Sequence, residues 1–295
     1  MKKNLYNIIN TIWQLPAILV GIENKIWNNN NNNKRENVIK NIWKELDLLD
    51  NNYNLTKKGK EIVQVKFLLE YQIKIIPYHL KDNFYNKFKI EKSEYELLRN
   101  GLGEYFNVYL KDIFKELKYK KFKWNVLDYG GGDACYSKNF LKENPRSNSL
   151  IVDRTLNFEE KDNLKFLKND FEENKEWFLN YKNKYNLIIL SELLHCKNKE
   201  WRSYLIDSCF YMLQQGGRLL ICEKNPTLFF QWRMDLFTHG GECIDQSEIR
   251  RLINHHNNNF QDYKYYNNYK NKFNLKNILE RESHYLMEYK KEEIK

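Results

Sequence analysis

No stretch of this 295-residue chain has the ~20 consecutive apolar residues that a membrane-spanning helix needs. The nearest case, Ile8 to Ile22, is interrupted by Asn10, Thr11, Gln14 and Pro16. Lys2 and Lys3 ahead of it suggest a secretory leader. No small-residue cleavage site follows, however, and Trp13 and Gln14 sit badly in a leader core. Cysteine is scarce and scattered: Cys135, Cys196, Cys209, Cys222 and Cys243 are odd in number and show no paired spacing. That argues against a disulfide framework and against a CxxC zinc pair, so no metal site is expected, and a reducing cytoplasm fits best. The chain also lacks an internal repeat and an arginine-rich stripe.

What is present is apolar mass and positive charge. Hydrophobic residues make up 42% and aromatic residues 15%, enough for one large packed domain or two ordinary ones. The 49 basic residues exceed the 39 acidic ones, for a net charge of +10. Such a balance helps RNA, acidic substrates or membrane surfaces approach. The lysines are spread along every helical stretch and asparagine abounds throughout, which reads as compositional bias. Nucleic acid is therefore a possible partner but not a favoured one.

Residues 1–90 read as helices followed by a turn. Tyr6 to Val20 is an apolar helix, and the run from Trp27 through Asn33 is a polyasparagine loop. Val38, Ile39, Ile42, Trp43 and Leu46 recur at helical spacing. Leu48 to Lys60 has the look of a short β-wing before a helix, with Thr56 as its N-cap. Lys92 to Lys118 is a long helical segment, which makes 91–120 a connector to a second domain over 121–295.

The second domain carries the chemistry. Val126-Leu127-Asp128 runs into Gly130, Gly131 and Gly132, and a helical pattern follows. A strand that turns into a helix through glycine lets the backbone approach a bound cofactor closely. An acid ahead of the glycines would repel a pyrophosphate and suits a cation, such as the amino group of S-adenosylmethionine. About 20 residues on, the run Ser149 to Val152 ends in Asp153, where a carboxylate meets ribose hydroxyls in nucleotide-binding α/β folds. Leu164 to Phe171 is a third strand-like run, whose Asp170 and Phe171 suit the amino group and ring face of an adenine. Tyr185 to Leu190 is a fourth, followed by Ser191-Glu192-Leu193-Leu194-His195. A helix and a Gly216-Gly217 turn then lead into a fifth, Arg218 to Glu223. Strands alternating with helices at this spacing predict a mostly parallel, doubly wound α/β sheet.

Taken in order, these motifs resemble the class I S-adenosylmethionine-dependent methyltransferases. More narrowly, the chain resembles the O-methyltransferases with an N-terminal winged-helix dimerisation domain, of the caffeic-acid and acetylserotonin type. The likeness rests on Asp128 to Gly132, Asp153, Asn169-Asp170-Phe171, Leu194-His195, Glu223 and Gly240-Gly241-Glu242, with Leu55, Thr56 and Gly59 in the wing. It implies an α/β methyltransferase domain behind a mostly helical dimerisation domain, a homodimer, S-adenosyl-L-methionine as cofactor and a small-molecule acceptor. It further implies His195 as catalytic base, Glu223 as the acid that orients it, and Glu242 as a second flanking acid. Asp128, Gly130, Gly131, Gly132, Asp153, Asp170, Phe171 and Ser191 fall at its cofactor-binding positions. There are departures. Ser191 stands where the family has a cofactor-holding lysine, Ala134 replaces a glycine, and Cys196 to Trp201 replaces an acidic segment.

The chemistry agrees with this likeness. Methyl transfer from a sulfonium to a phenol needs both partners held in line and the acceptor proton removed, and a histidine is the natural base near neutral pH. Phe229, Phe230, Trp232, Met234 and Phe237 form an aromatic stretch that reads either as helix packing or as the lining of an aromatic-substrate pocket. Two other readings stay open: a methyltransferase acting on RNA or protein, and a non-catalytic winged-helix protein that binds DNA or senses a ligand.

Overall fold

The computed structural model describes residues 14, 16–28, 34–71, 92–119, 123–154, 160–171, 173–226, 242–259, 271–280 and 284–293. The chain divides into two compact units, Met1–Lys111 and Asp112–Lys295.

The first unit is helical. Residues 16–23 form a helix, and α1 (Lys34–Glu45), α2 (Lys57–Gln64), α3 (Lys66–Glu70) and α4 (Lys92–Tyr109) follow. Trp43 is its fully buried anchor, packed with Ile18, Ile22, Ile26, Leu48, Leu49, Val65 and Leu69. A Cβ on Gly21 would lie 2.3 Å from the Trp43 indole nitrogen, so only glycine lets the two elements meet there. Val38 breaks the expected apolar stripe. It faces solvent at 53% exposure, because Ile39 and Trp43, four apart, already define the inward face.

The expected wing is a single antiparallel bridge, Leu49 to Leu55. Asp50 closes it by accepting from the backbone N–H groups of Asn52 and Asn54, each at 2.8 Å. Thr56 caps α2 by accepting from the Gly59 N–H at 3.0 Å. The expected continuous helix over 92–118 is interrupted: α4 ends at Tyr109, and a turn over 110–112 precedes the short α5 (Ile113–Glu116). The polyasparagine stretch beyond Asn28 and the first half of the Tyr6–Val20 helix lie outside the described residues.

The second unit is a seven-stranded sheet in the order β3-β2-β1-β4-β5-β7-β6. Its elements are β1 (Asn125–Tyr129), α6 (Cys135–Glu143), β2 (Asn148–Asp153), β3 (Leu164–Lys168), β4 (Tyr185–Ser191), α7 (Lys199–Met212), β5 (Leu213–Lys224), α8 (Gln246–Asn259), β6 (Asn271–Glu280) and β7 (His284–Glu293). Strands β1 to β5 run parallel, whereas β7 is antiparallel to both β5 and β6. The chain winds outward from β1 to β3 and then returns to β4 on the other side of β1. This reversal opens a crevice at the carboxyl ends of β1 and β4.

Right-handed crossovers in opposite directions put α6 and α7 on opposite faces. Both faces are therefore dry, and the central strands are apolar on both sides: Leu187, Ile188, Ile189 and Leu190 are all fully buried. The sheet departs from expectation in three places. Strand β3 stops at Lys168, short of Asp170 and Phe171. Strand β5 begins at Leu213, so Gly216-Gly217 is a bulge inside the strand and not a turn before it: Tyr185 pairs with Leu213, but Leu187 already pairs with Arg218. The β6–β7 hairpin has no counterpart in the sequence reading.

Candidate active site

The glycine turn leaves β1 at the crevice. Gly130 and Gly132 take φ of +73° and +47°, which a side chain disfavours. Gly131 is required for a different reason. A Cβ there would sit 2.5 Å from the Asp128 carboxyl carbon, because that carboxylate lies directly under the loop. Asp128 is fully buried and accepts from the Ser137 N–H and hydroxyl at 3.2 and 2.7 Å, while its Oδ1 has no hydrogen-bond partner among the described residues. Burial raises its pKa to about 6 against the opposing effect of Ser137.

Asp153, at the end of β2, reaches the same turn and accepts from the Gly132 N–H at 3.1 Å. Asn169 ties on behind it by donating its N–H to the Asp153 carbonyl at 2.9 Å. Asp170 is half-buried and lines an open cleft of about 450 Å³ with Arg154, Lys168, Asn169, Glu173 and Asn174. Phe171 turns inward, edge-on to Tyr129 at 4.5 Å and beside Trp177. Ser191 ends β4 and is buried opposite Cys222.

His195 lies in a 3-10 turn, Leu194–Cys196, just past β4. Its Nδ1 is 2.5 Å from Oε2 of Glu223, near the end of β5. The other oxygen, Oε1, accepts from the backbone N–H groups of Leu193 and Leu194 at 3.2 and 2.8 Å. One buried carboxylate thus fixes both the ring and the backbone turn that carries it. Burial opposes charge on the ring, but Cys196 and Glu223 outweigh it and push the His195 pKa above its ordinary value. Leu193 joins this turn to the glycine loop, since a Cβ on Gly130 would meet the Leu193 side chain at 2.9 Å. The glycine turn and the histidine–glutamate pair therefore share one edge of the sheet.

Glu242 touches His195 through the backbone alone: its N–H donates to the His195 carbonyl at 3.0 Å. Its carboxylate instead pairs with Arg202 at 2.7 Å. Arg202, fully buried on α7, also donates to the Leu194 carbonyl at 2.9 Å and so braces the turn from beneath. Sequence reasoning missed Arg202, although its spacing with Leu205, Ile206 and Cys209 places it on the apolar face of α7. It also missed Glu192, Lys224 and His284, which meet at the same sheet edge. The aromatic stretch from Phe229 to Phe237, with Gly240 and Gly241, lies outside the described residues. Among the described residues no cluster of histidine, cysteine or acids could hold a metal, and no helix is long and apolar enough to cross a membrane.

No protein-family model and no curated protein matches the chain. Solved structures do. An O-methyltransferase family protein from Burkholderia thailandensis shares a TM-score of 0.68 at 11% identity, covering 100% of this chain and 99% of that one. Human N-acetylserotonin methyltransferase, solved in complex with SAM, gives 0.70 at 14% identity over 99% and 97%. CalO1, a methyltransferase of calicheamicin biosynthesis in its SAH-bound form, gives 0.69 at 12% identity over 98% and 97%. With a glycine turn and a buried histidine–glutamate pair on one edge of a doubly wound sheet, preceded in the sequence by a helical unit, the chain has the fold of the class I O-methyltransferases.

Proposed function

We propose that this chain is an S-adenosylmethionine-dependent methyltransferase acting on a hydroxyl of a small aromatic acceptor, with His195 as general base and Glu223 as the acid that orients it. The observation that carries this reading is the buried Nδ1–Oε2 contact between them, on the edge that also holds the glycine turn.

The residues present fit the cofactor. Space is open above Gly132, where among the described residues no atom beyond its chain neighbours lies within 4 Å of a would-be Cβ; Asp153 reaches the same loop, and Asp170 lines a cleft with Arg154, the residue after Asp153. The backbone of Gly130 to Gly132, Asp153, Asp170 and Ser191 would hold it. When bound, S-adenosylmethionine supplies an electrophilic methyl group on a sulfonium. The protein's part is proton handling and orientation. With Nδ1–H donating to Glu223, the imidazole is fixed in the tautomer whose Nε2 is basic. The acceptor hydroxyl proton passes to Nε2 as the oxygen becomes nucleophilic. Arg202 and the Leu193 and Leu194 N–H groups keep the turn from moving as charge develops on the ring.

In the same reading residues 1–90 and the helix after them form a homodimer interface, and the enzyme is cytoplasmic. Support comes from the first unit, which carries the large hydrophobic residues left exposed among the described ones: Val20, Val38, Tyr53 and Phe67. The test is calorimetry with S-adenosylhomocysteine, followed by methyl transfer to a panel of phenols. No affinity for S-adenosylhomocysteine would rule the reading out.

A further inference from the structure

Glu192 stands between the last residue of β4 and the turn that carries His195. It is a non-glycine residue in the left-handed region, with φ of +50°. Such a conformation persists only where the surroundings over-determine it. Here they do so on three sides. The Glu192 N–H donates to the Cys222 carbonyl at 2.8 Å. Its Oε2 meets Lys224 Nζ at 3.0 Å, and its Oε1 meets His284 Nε2 at 3.1 Å. Lys224 and His284 are register partners across β5 and β7, so the carboxylate straddles two strands.

Resting on the assignment of His195 as base, we propose that Glu192 is a positioning residue: anchored by Lys224 and His284, it supplies a second negative charge, beside Glu223, that sets how tightly the His195 ring holds its proton. Glu192 is largely withdrawn from water, so its field is weakly screened. Burial opposes its charge, yet Lys224 and His284 hold its carboxyl well below the usual range. Glu192 sits three residues before His195, and its anchor Lys224 directly follows Glu223, which holds the His195 ring, so the charge is fixed at the same corner of the sheet. Cys196 on its own turn and Glu223 from β5 bear directly on the imidazole; around Glu192 stand Lys224 from β5 and His284 from β7. The Glu242 carboxylate, by contrast, is engaged by Arg202. In this arrangement the role of second acid falls to Glu192, with Lys224 as its counterweight.

The test reads the ring directly and needs no acceptor. Histidine imidazoles of the full chain are labelled with ¹⁵N and titrated by NMR, and His195 is identified by the signals lost in His195→Asn. Glu192→Gln keeps one acceptor oxygen for Lys224, while its NH2 can donate to His284 in the other imidazole tautomer; it removes the charge and should lower the His195 pKa by about half a unit or more. Lys224→Met removes the opposing cation and should raise it. A generally loosened site would move both variants in the same direction, so shifts of one sign, or none in Glu192→Gln, overturn the proposal. If Glu192→Gln does not fold, the sign of the Lys224→Met shift decides alone. S-adenosylhomocysteine binding, measured on the parent sample, tests the methyltransferase assignment separately, whatever the titration gives.

Discussion

Gly130 and Leu193 are in van der Waals register: a methyl group added to the glycine would lie 2.9 Å from a Leu193 methyl carbon. Leu193 in turn donates its N–H to Glu223, the partner of His195. A change in the glycine turn should therefore reach the histidine through one side chain.

Gly130→Ala tests this link. It combines a positive φ with a steric overlap, and should destabilise the chain by roughly 1–3 kcal/mol. It should weaken S-adenosylhomocysteine binding and also lower turnover measured at saturating cofactor. Thermal unfolding, calorimetry and steady-state kinetics separate the three effects. Wild-type turnover at saturation would mean that the loop and the base are not coupled.

Asp153→Ala should weaken S-adenosylmethionine binding by on the order of 1.5–3 kcal/mol, the scale for hydrogen bonds to a charged group. Part of that loss comes from the Gly132 N–H, which loses its acceptor. Calorimetry at fixed salt measures it, and an unchanged affinity places the ligand elsewhere.

His195→Ala should lower turnover by ~10²–10⁴-fold with cofactor affinity nearly intact. The pH dependence follows from the raised pKa of the ring. A base with a raised pKa is largely protonated at neutral pH, so the rate should climb as pH rises past 7. Glu223→Gln should move that climb to lower pH and reduce the plateau. The linkage to stability has a definite sign. Stability from the charged ring is complete below its unfolded pKa of about 6.5 and is lost as pH rises through the higher folded value.

Asp128 gives a second pH signature. Burial raises its folded pKa to about 6, above its ordinary 3.8, so the fold favours the protonated acid. Stability is then fullest below about 4 and falls as pH rises from about 4 through 6, by on the order of 2–3 kcal/mol in all. Asp128→Asn should flatten that decline in cofactor-free protein. Melting temperatures of the two proteins between pH 4 and 7.5 check it, and parallel curves would show that Asp128 does not titrate in this range.

In the first unit, a Cβ on Gly59 would lie 2.1 Å from the Leu48 carbonyl oxygen. Gly59→Ala should therefore cost more than Thr56→Ala, which removes one cap worth about 1 kcal/mol. Light scattering of the unmutated chain at micromolar concentration reads the dimer, and a monomer there counts against the interface.

Much of this was legible in the sequence because the signals are local. Glycines with an acid beneath them, apolar runs at βαβ spacing and a histidine just past a strand are read within a dozen residues of chain. The Thr56 cap and the burial of Trp43 are of the same kind. What escaped is long-range or side-chain-specific. The β6–β7 hairpin, with lysine and glutamate throughout, does not stand out as a buried edge, so His284 could not be placed beside Glu192, 92 residues earlier. Phe171 follows a strand that ends early, and only the position of Tyr129 decides that its ring turns inward. The Glu242 carboxylate goes to Arg202 because a fully buried guanidinium demands an anion, a requirement that no spacing in the sequence expresses.

Strand β7 sits between β5 and β6, although it is made after both. Among the described strands, therefore, β5 has no partner on that edge for some sixty residues of chain growth, and β6 has none when it emerges. The nascent protein carries two sticky ribbons that only one late segment can cover, a state prone to pairing with the wrong chain. Because that late segment also brings His284, the charges around Glu192 assemble at the moment the sheet is sealed.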